Sequence, residues 1–115
     1  MTLGDKRRQF TALVARLLLK IQESGDEAAL HYSFRSNEEQ NRLFKEGKTK
    51  IRCGKSCHNF GLAVDINLYK GGVYQTSTKA HQPYGEWWEK QHPLARWGGK
   101  FGDGNHYSFE HNGVK

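Results

Sequence analysis

The sequence has 115 residues, a mass of 13.2 kDa and a formal net charge of +6, and this length allows one domain but excludes a catalytic domain joined to a separate targeting module. Mean hydropathy is −0.86 with 36% apolar residues, so the chain is polar overall. No stretch approaches the ~20 apolar residues of a membrane span. Aromatic residues make up 12% of the chain, which argues against disorder. The positive charge suits an anionic partner such as nucleic acid, a membrane surface or a cell-wall polymer, and composition alone does not choose among them.

The N-terminus lacks the features of a secretory signal. Lys6 and Arg8 are basic, but Arg16 and Lys20 interrupt the apolar residues that follow, and no small-residue cleavage site is present. We therefore expect a chain that is made in the cytoplasm without an export signal of its own and without stable membrane insertion. The two cysteines are too few for a disulfide scaffold.

The first predicted element is an amphipathic helix over about residues 6–23. Its apolar residues recur at helical spacing and form one face: Phe10, Leu13, Val14, Leu17, Leu18 and Ile21. We expect this face to pack on the core. A basic amphipathic helix at a membrane surface is the alternative interpretation.

A strand-like run and a second helix follow. The run covers residues 31–35, and Ser36 then begins a capping-box pattern for a helix at about 37–46. In this helix we expect Leu43 and Phe44 to face inward.

The remainder of the chain predicts short elements separated by glycine-rich turns. These are a strand at 62–68, a Gly71–Gly72 turn into a strand at 73–74, a short helix at 86–91 and a last strand at 106–110. A helix followed by short strands mixed with helices predicts an α+β fold. We expect a single domain over residues 1–115, with an N-terminal helix, a small, mostly antiparallel sheet and a catalytic core at about 31–110.

The most informative segment is Ser56–Ile66. Strand alternation places Gly61, Ala63 and Asp65 on one face. The two small residues leave an open space beside Asp65, and His58 could reach the same space. Because a histidine nitrogen and a carboxylate oxygen are both good zinc ligands, this face is a candidate metal site.

A second histidine motif lies near the end of the chain, at Gly102–Tyr107. His106 is the candidate third ligand, and Asp103 could sit beside the metal without binding it. Three protein ligands and one open position are typical of a catalytic zinc site. A neighbouring carboxylate could take a proton from water and pass it to a leaving amine.

These two motifs, Ser-x-His-x-x-Gly-x-Ala-x-Asp and Asp-x-x-His, resemble those of the zinc peptidases of peptidoglycan. That family includes D-alanyl-D-alanine carboxypeptidases and dipeptidases, and phage L-alanyl-D-glutamate endopeptidases. Two further blocks agree with it: Arg-Ser-x-x-x-Gln-x-x-Leu within 34–44, and Trp-Gly-Gly at 97–99. The blocks run in the family's order from Phe34 to Phe109.

The resemblance implies one Zn²⁺ per chain, with three ligands: His58, Asp65 and His106. It also implies that Asp103 is the general base. It makes Arg35 and Ser56 ligands of a substrate carboxylate, and a guanidinium and a hydroxyl are physically apt for that role. Trp97 resembles an aromatic residue that shapes the pocket wall.

The identity of residue 103 favours one branch of the family. The carboxypeptidase branch usually has Glu at this position, and the endolysin branch often has Asp, as here. We therefore expect an endopeptidase that cuts the L-Ala–D-Glu bond of the stem peptide. The expected protein is a monomeric phage or prophage endolysin that reaches the wall through a holin-type pore or with a virion. Its charge of +6 would attract it to an anionic wall.

Two alternative functions remain open. One is a D-alanyl-D-alanine carboxypeptidase or dipeptidase of cell-wall metabolism. The other is a non-catalytic basic module on the same scaffold that binds cell wall or nucleic acid. The sequence contains no nucleic-acid-binding motif, so we expect no nucleic-acid partner.

Several residues fit the family pattern less well. Cys53, Cys57 and His58 allow an alternative all-thiolate-and-histidine structural zinc site, which would leave Asp65 without a role. Residues 69–91 match no motif and are interpreted as one wall of the substrate groove. Four other histidines are expected at the surface or around the ligands: His31, His81, His92 and His111. Three residues are candidate hydrogen-bond partners of a ligating histidine: Asn59, Tyr107 and Glu110.

Overall fold

The computed structural model describes residues 1–49 and 56–115, and of Tyr32 only the backbone. The three helices are α1 (Leu3–Glu23), α2 (Asn37–Lys45) and α3 (Thr78–Gln91). The five strands are β1 (Glu27–Tyr32), β2 (Ala63–Lys70), β3 (Val73–Gln75), β4 (Ala95–Trp97) and β5 (His106–Phe109). Two short 3₁₀ turns lie at Cys57–Phe60 and Gly98–Phe101.

The strands form one antiparallel sheet. Four strands lie in the order β1-β2-β5-β4. The fifth, β3, forms a hairpin with the last residues of β2. The Gly71–Gly72 turn has positive φ at both residues, as a two-residue hairpin loop of type I′ requires. The expectation of an α+β fold with a mostly antiparallel sheet is confirmed.

Helices α1 and α3 cover one face of the sheet, and the core lies between them. Thr2 caps α1 by accepting a hydrogen bond from the Asp5 amide, and the Asp5 carboxylate accepts one in return. The apolar stripe of α1 is buried, which confirms that this face packs on the core; its buried members are Phe10, Leu13, Leu17 and Ile21. The sheet contributes alternate residues to the same core: Leu62, Val64, Ile66, Leu68, Tyr107 and Phe109.

The opposite face of the sheet carries the polar residues of the sequence motifs. Ala63 and Asp65 on β2 lie opposite Ser108 and His106 on β5, and cross-strand partners project from the same face. This face therefore positions the candidate site.

Four sequence-based expectations about the elements were wrong. The first helix begins at Leu3 rather than at about residue 6, and β1 covers Glu27–Tyr32 rather than 31–35. Helix α3 begins at Thr78 instead of 86, because Ser77 caps it and Pro83 lies inside it without ending it. Phe44 is 38% exposed rather than inward-facing, whereas Leu43 is buried.

The interpretation of residues 69–91 as a wall of the groove was also wrong. None of them lines the cleft described below. Helix α3 instead packs on the core side of the sheet through Tyr84 and Trp88.

Within residues 1–49 and 56–115, no helix combines the length and the apolar character needed to cross a bilayer.

Candidate active site

Two of the predicted metal ligands lie side by side on neighbouring strands. Asp65 on β2 is directly opposite His106 on β5. The Nδ1 atom of His106 lies 3.2 Å from Oδ1 of Asp65. The antiparallel pairing of β2 with β5 thus brings together Asp65 and His106, which are 41 residues apart in the sequence.

The third predicted ligand, His58, lies on the 3₁₀ turn that precedes β2. Ser56 caps this turn, and its hydroxyl accepts a hydrogen bond from the His58 amide. The Nε2 atom of His58 lies 3.2 Å from Oδ1 of Asp65, and Nδ1 lies 2.8 Å from the Ser33 carbonyl oxygen. Because a carbonyl oxygen can only accept, Nδ1 carries the proton, which leaves the lone pair of Nε2 directed at the site.

The three side chains converge closely enough to hold one metal ion. One ligand atom from each of His58, Asp65 and His106 lies within 4.8 Å of the other two. Two imidazole nitrogens and one carboxylate oxygen form a donor set that suits zinc, and three protein ligands are the number found in catalytic zinc sites. The residues present therefore fit a zinc ion.

The Asp65 carboxylate is held in its ionised form. Burial alone would raise the pKa of Asp65, but the adjacent imidazoles of His106 and His58 lower it well below the usual range. Arg35 forms an ion pair with the other oxygen of this carboxylate, with its Nη2 atom 3.9 Å from Oδ2 of Asp65. An ionised carboxylate is the form that binds a metal.

Arg35 is a buried, oriented side chain in the cleft. It is only 9% exposed, and its Nη1 donates a hydrogen bond to Oε1 of the fully buried Gln40. The backbone carbonyl of Arg35 in turn accepts a hydrogen bond from the Asn59 side chain. The guanidinium is thus fixed beside Asp65 and lines the cleft.

Asp103 lies on a tight turn between the second 3₁₀ turn and β5. Gly102 adopts a left-handed conformation, with φ of 76°. The Asp103 amide donates to the Gly98 carbonyl at 2.9 Å, and the His106 amide donates to the Asp103 carbonyl at 3.1 Å. The turn therefore ties the predicted base to one predicted ligand. Asp103 does not join the group of three potential ligands within the described residues.

Partial desolvation by the walls of the cleft raises the pKa of the Asp103 carboxyl group, although the residue as a whole is exposed to solvent. The negative charge of Asp65 acts in the same direction, while His106, His58 and Arg35 oppose the effect. A carboxylate with a raised pKa accepts a proton more readily, which is the property that a general base needs near neutral pH.

Trp97 supports the turn that carries Asp103. Its indole N–H donates a hydrogen bond of 2.7 Å to the Gly104 carbonyl. Its ring lies directly against Gly85 and Gly99, where an added Cβ would come within 2.0 and 2.3 Å of ring atoms. Trp97 also lines the cleft, but its packing shows a part in positioning the loop as well as in forming the wall.

All seven predicted site residues line one cleft with a volume of about 600 Å³. They are Arg35, Ser56, His58, Asp65, Trp97, Asp103 and His106. Ser56 is 4% exposed, so its contribution here is chiefly to cap the turn of His58. Gly61, expected on the site face of β2, instead ends that turn with φ of 70° and lies against Arg7.

Sequence reasoning missed the hydrogen-bond partner of His58. Of the three candidates, Asn59 bonds to the Arg35 carbonyl, and Tyr107 bonds to His81. The actual partner is the carbonyl of Ser33, and a backbone group leaves no side-chain signal in a sequence.

The other histidines are not gathered at the metal site. His81 is 3% exposed and bonds to Tyr107 in the core, so its expected place at the surface or around the ligands was wrong. His111 lies 3.0 Å from the Lys6 ammonium, and His92 stacks on Phe109. His31 lines the cleft.

Cys57 is a buried thiol away from the three ligand atoms. Its Sγ lies 3.3 Å from the Phe109 carbonyl oxygen and 3.2 Å from that of Val114, so its one S–H can donate to either. Burial raises the pKa of this thiol to about 12. A thiol in this state is a poor metal ligand. Cys53, the other half of the alternative thiolate site, lies outside the described residues.

Comparison with known proteins connects this arrangement to a family. A model of the D-alanyl-D-alanine carboxypeptidase family, in peptidase family M15, matches residues 50–109. The chain is also 42% identical over 53 residues to the peptidoglycan L-alanyl-D-glutamate endopeptidase CwlK of Bacillus subtilis strain 168. That alignment covers 40% of this chain and 32% of CwlK, so the chain matches about a third of its relative's length.

Two solved structures are similar to the fold, each with a TM-score of 0.61. One is the L-Ala D-Glu endopeptidase ChiX of Serratia marcescens, with 20% identity over 73% of this chain and 67% of that chain. The other is the vancomycin resistance D,D-pentapeptidase VanY from a VanB-type resistance cassette, in complex with Zn(II). It is 18% identical and covers 88% of this chain and 70% of that chain.

The family match extends over more than half of the 115 residues. It contains both histidine motifs, and the fold brings these motifs together around one set of ligand atoms. The chain therefore belongs to the D-alanyl-D-alanine carboxypeptidase family of M15 peptidases.

Proposed function

We propose that this protein is a zinc-dependent endopeptidase that hydrolyses the L-alanyl-D-glutamate bond of the peptidoglycan stem peptide. The observation that carries the proposal is the convergence of His58, Asp65 and His106 within 4.8 Å, in the cleft that also holds Asp103. The peptidoglycan specificity is supported by the names of the relatives CwlK and ChiX.

His58, Asp65 and His106 would hold the zinc ion, and bound zinc supplies a Lewis acid that polarises a peptide carbonyl and acidifies water. Two of the three ligands are oriented before binding: His58 by the Ser33 carbonyl, and Asp65 by Arg35. Preorganisation of this kind lowers the cost of assembling the site.

Asp103 acts as the general base and then as the general acid. Its carboxylate takes a proton from the attacking water and later delivers that proton to the nitrogen of the departing amine. The short turn tied to Gly98 and His106 supports this role, because it fixes the backbone of Asp103 next to a predicted ligand. Its raised pKa lets it hold the proton between the two steps.

Arg35 binds a carboxylate of the substrate from the wall of the cleft. Its guanidinium is fixed by Gln40, so little side-chain freedom is lost when a carboxylate arrives. Ser56 and Trp97 line the same cleft, where Ser56 would add a hydroxyl donor for the substrate and Trp97 part of the wall.

The second candidate reaction is D-alanyl-D-alanine carboxypeptidase activity. The description of the matching family model and the VanY fold favour it. Both reactions use the same ligands and base, and they differ in the bond that is cut and the products that are released.

Digestion of purified peptidoglycan distinguishes these possibilities. The zinc-loaded protein is incubated with the wall, with and without a chelator, and new termini are identified by mass spectrometry. New L-Ala carboxyl and D-Glu amino ends, absent with chelator, support the proposal. Release of free D-Ala supports the second candidate, and no products from a folded, zinc-loaded sample would refute both.

The biological setting that we propose is lysis of a host cell by a phage or prophage, with the protein acting on the wall as a monomer. Its support is Asp at position 103, the residue often present in the endolysin branch. Expression in a bacterial host with and without a holin tests this setting. Lysis only when the holin is present agrees with it, and intact cells in both cases contradict it.

A further inference from the structure

The cleft continues past the metal ligands along strands β4 and β5. Arg96 on β4 lies opposite Ser108 on β5, and Ser108 follows His106 by two residues, so all three project from the same face. Two residues of a strand span about 7 Å. Arg96, Ser108 and Lys115 line the same cleft as the metal ligands. An extended peptide bound at the metal would therefore reach this region about two residues from the bond that is cut.

Arg96 is held in place before any ligand arrives. Its Nη1 donates hydrogen bonds to the Pro93 carbonyl at 2.8 Å and to the Ala95 carbonyl at 2.9 Å. The side chain is nevertheless 31% exposed. A guanidinium carries five N–H donors, so donors on Nε and Nη2 remain after these two bonds. Because the side chain is already ordered, binding a carboxylate costs little further entropy.

This end of the cleft has more positive than negative charge. Arg96 Nη2 lies 3.6 Å from Glu110 Oε1, and Lys115 Nζ lies 3.8 Å from the same oxygen. Two cations thus share one carboxylate. Arg42, elsewhere in the lining, is by contrast bonded to two neighbouring glutamates. The side chains of Arg96, Lys115 and Glu110 together therefore carry one net positive charge.

The floor beside Arg96 is also polar. Ser108 is fully buried, and within residues 1–49 and 56–115 its hydroxyl has no hydrogen-bond partner. A buried polar atom without a partner is costly in a native structure. Ser108 is also among the residues that line the cleft, so the wall next to Arg96 is polar at this point.

We propose that Arg96, with Lys115, binds a carboxylate of the substrate about two residues from the scissile bond. The site would select stem peptides in which this carboxylate is free over those in which it is amidated. This inference rests on the proposed function for the identity of the substrate as a stem peptide. It assigns a specificity-determining role to Arg96, which is separate from the metal ligands and the base.

Two synthetic stem tetrapeptides test the proposal. They differ only at the side chain of the third residue, which carries a free carboxylate in one and a carboxamide in the other. For the wild-type protein, kcat/KM should be at least about tenfold higher for the acidic peptide, since a charge-assisted hydrogen bond is replaced by a neutral one. Arg96→Gln should remove this preference by raising KM for the acidic peptide alone, and Arg96→Lys should retain part of it.

Lys79→Gln is the matched control, because it removes one positive charge from the exposed surface of α3 outside the cleft. It should preserve the preference. Loss of the preference in this control would show that overall charge is responsible. Equal losses for the two peptides in Arg96→Gln would show that Arg96 is only structural, and either result overturns the proposal.

A binding measurement separates this inference from the proposed function. Both tetrapeptides are titrated calorimetrically into zinc-loaded Asp103→Asn protein, with and without Arg96→Gln. Weaker binding of the acidic peptide alone supports the Arg96 site, even if the wild-type protein cleaves neither peptide and the proposed function fails. Equal affinities in all four titrations overturn the Arg96 site, even if the wild-type protein is active.

Discussion

Replacement of Gly98 by alanine tests how strictly the backbone positions the base and its neighbouring ligand. A Cβ at this position would lie 2.4 Å from the Asp103 carbonyl oxygen and 2.9 Å from the His106 Cβ. The first distance is about 1 Å shorter than an ordinary contact of 3.4 Å. Both neighbours belong to the 103–106 turn, so the turn must move by a comparable distance.

A displacement of this size at a catalytic group lowers the rate by about 100-fold. We therefore expect Gly98→Ala to lower kcat/KM for stem-peptide hydrolysis by about two orders of magnitude. Zinc affinity should also fall, because His106 is displaced together with Asp103. Hydrolysis is followed by chromatography of the products, and bound zinc is measured by a metal-sensitive dye after unfolding.

Gly4→Ala is the matched control. Gly4 lies in α1, and a Cβ there would make an ordinary contact of 3.5 Å with the Arg8 side chain. This variant should keep full activity and gain slightly in stability, since alanine favours a helix by about 1 kcal/mol over glycine. If Gly98→Ala retained activity within twofold of wild type with full zinc content, the proposed coupling through the turn would be refuted.

Three further predictions concern stability. Trp97→Phe leaves the buried Gly104 carbonyl without its hydrogen-bond donor. The free energy of unfolding, measured in urea, should therefore fall by about 1–3 kcal/mol, and an unchanged urea midpoint would contradict this. Leu17→Ala, at a fully buried position of α1, should cost about 2–5 kcal/mol in the same assay, and a cost below about 1 kcal/mol would show that the α1 interface is loose. Asp26 accepts hydrogen bonds from Tyr84 and a lysine, which hold its pKa below the usual range. That stabilisation is present at pH values above the unfolded-state pKa of ~3.9 and is lost as the pH falls through the folded-state pKa. The difference in unfolding free energy between wild type and Asp26→Asn should therefore shrink below about pH 4. A difference that does not change with pH would contradict the role of Asp26.

The residues of the site could be predicted because the motifs are short and their spacing carries chemical information. A strand with a carboxylate near its start, at Asp65, and a histidine just before the strand indicate the position of His58 relative to Asp65 without knowledge of the fold. The pairing of Asp65 with His106 depends on the order of strands in the sheet. A periodicity argument does not supply this order, and the resemblance to a family did.

The parts that could not be predicted are those that depend on backbone groups or on tertiary packing. The Ser33 carbonyl that orients His58 has no side-chain signature. Helix α3 was predicted to begin after Pro83, but the core contacts of Tyr84 and Trp88 and the Ser77 cap sustain a helix that includes the proline. The requirement for glycine at position 98 could not be predicted from the sequence either, because only the folded chain shows which atoms a Cβ would contact.

In the proposed mechanism, three residues of the site hold the metal and a fourth moves the proton. The most direct test measures bound zinc and turnover in the same samples of Asp103→Asn and Asp65→Asn. We predict that Asp103→Asn keeps one zinc per chain while its turnover falls by about 10²–10⁴-fold, and that Asp65→Asn loses both zinc and turnover. Loss of zinc from Asp103→Asn, or full zinc binding by Asp65→Asn, would contradict this division of roles.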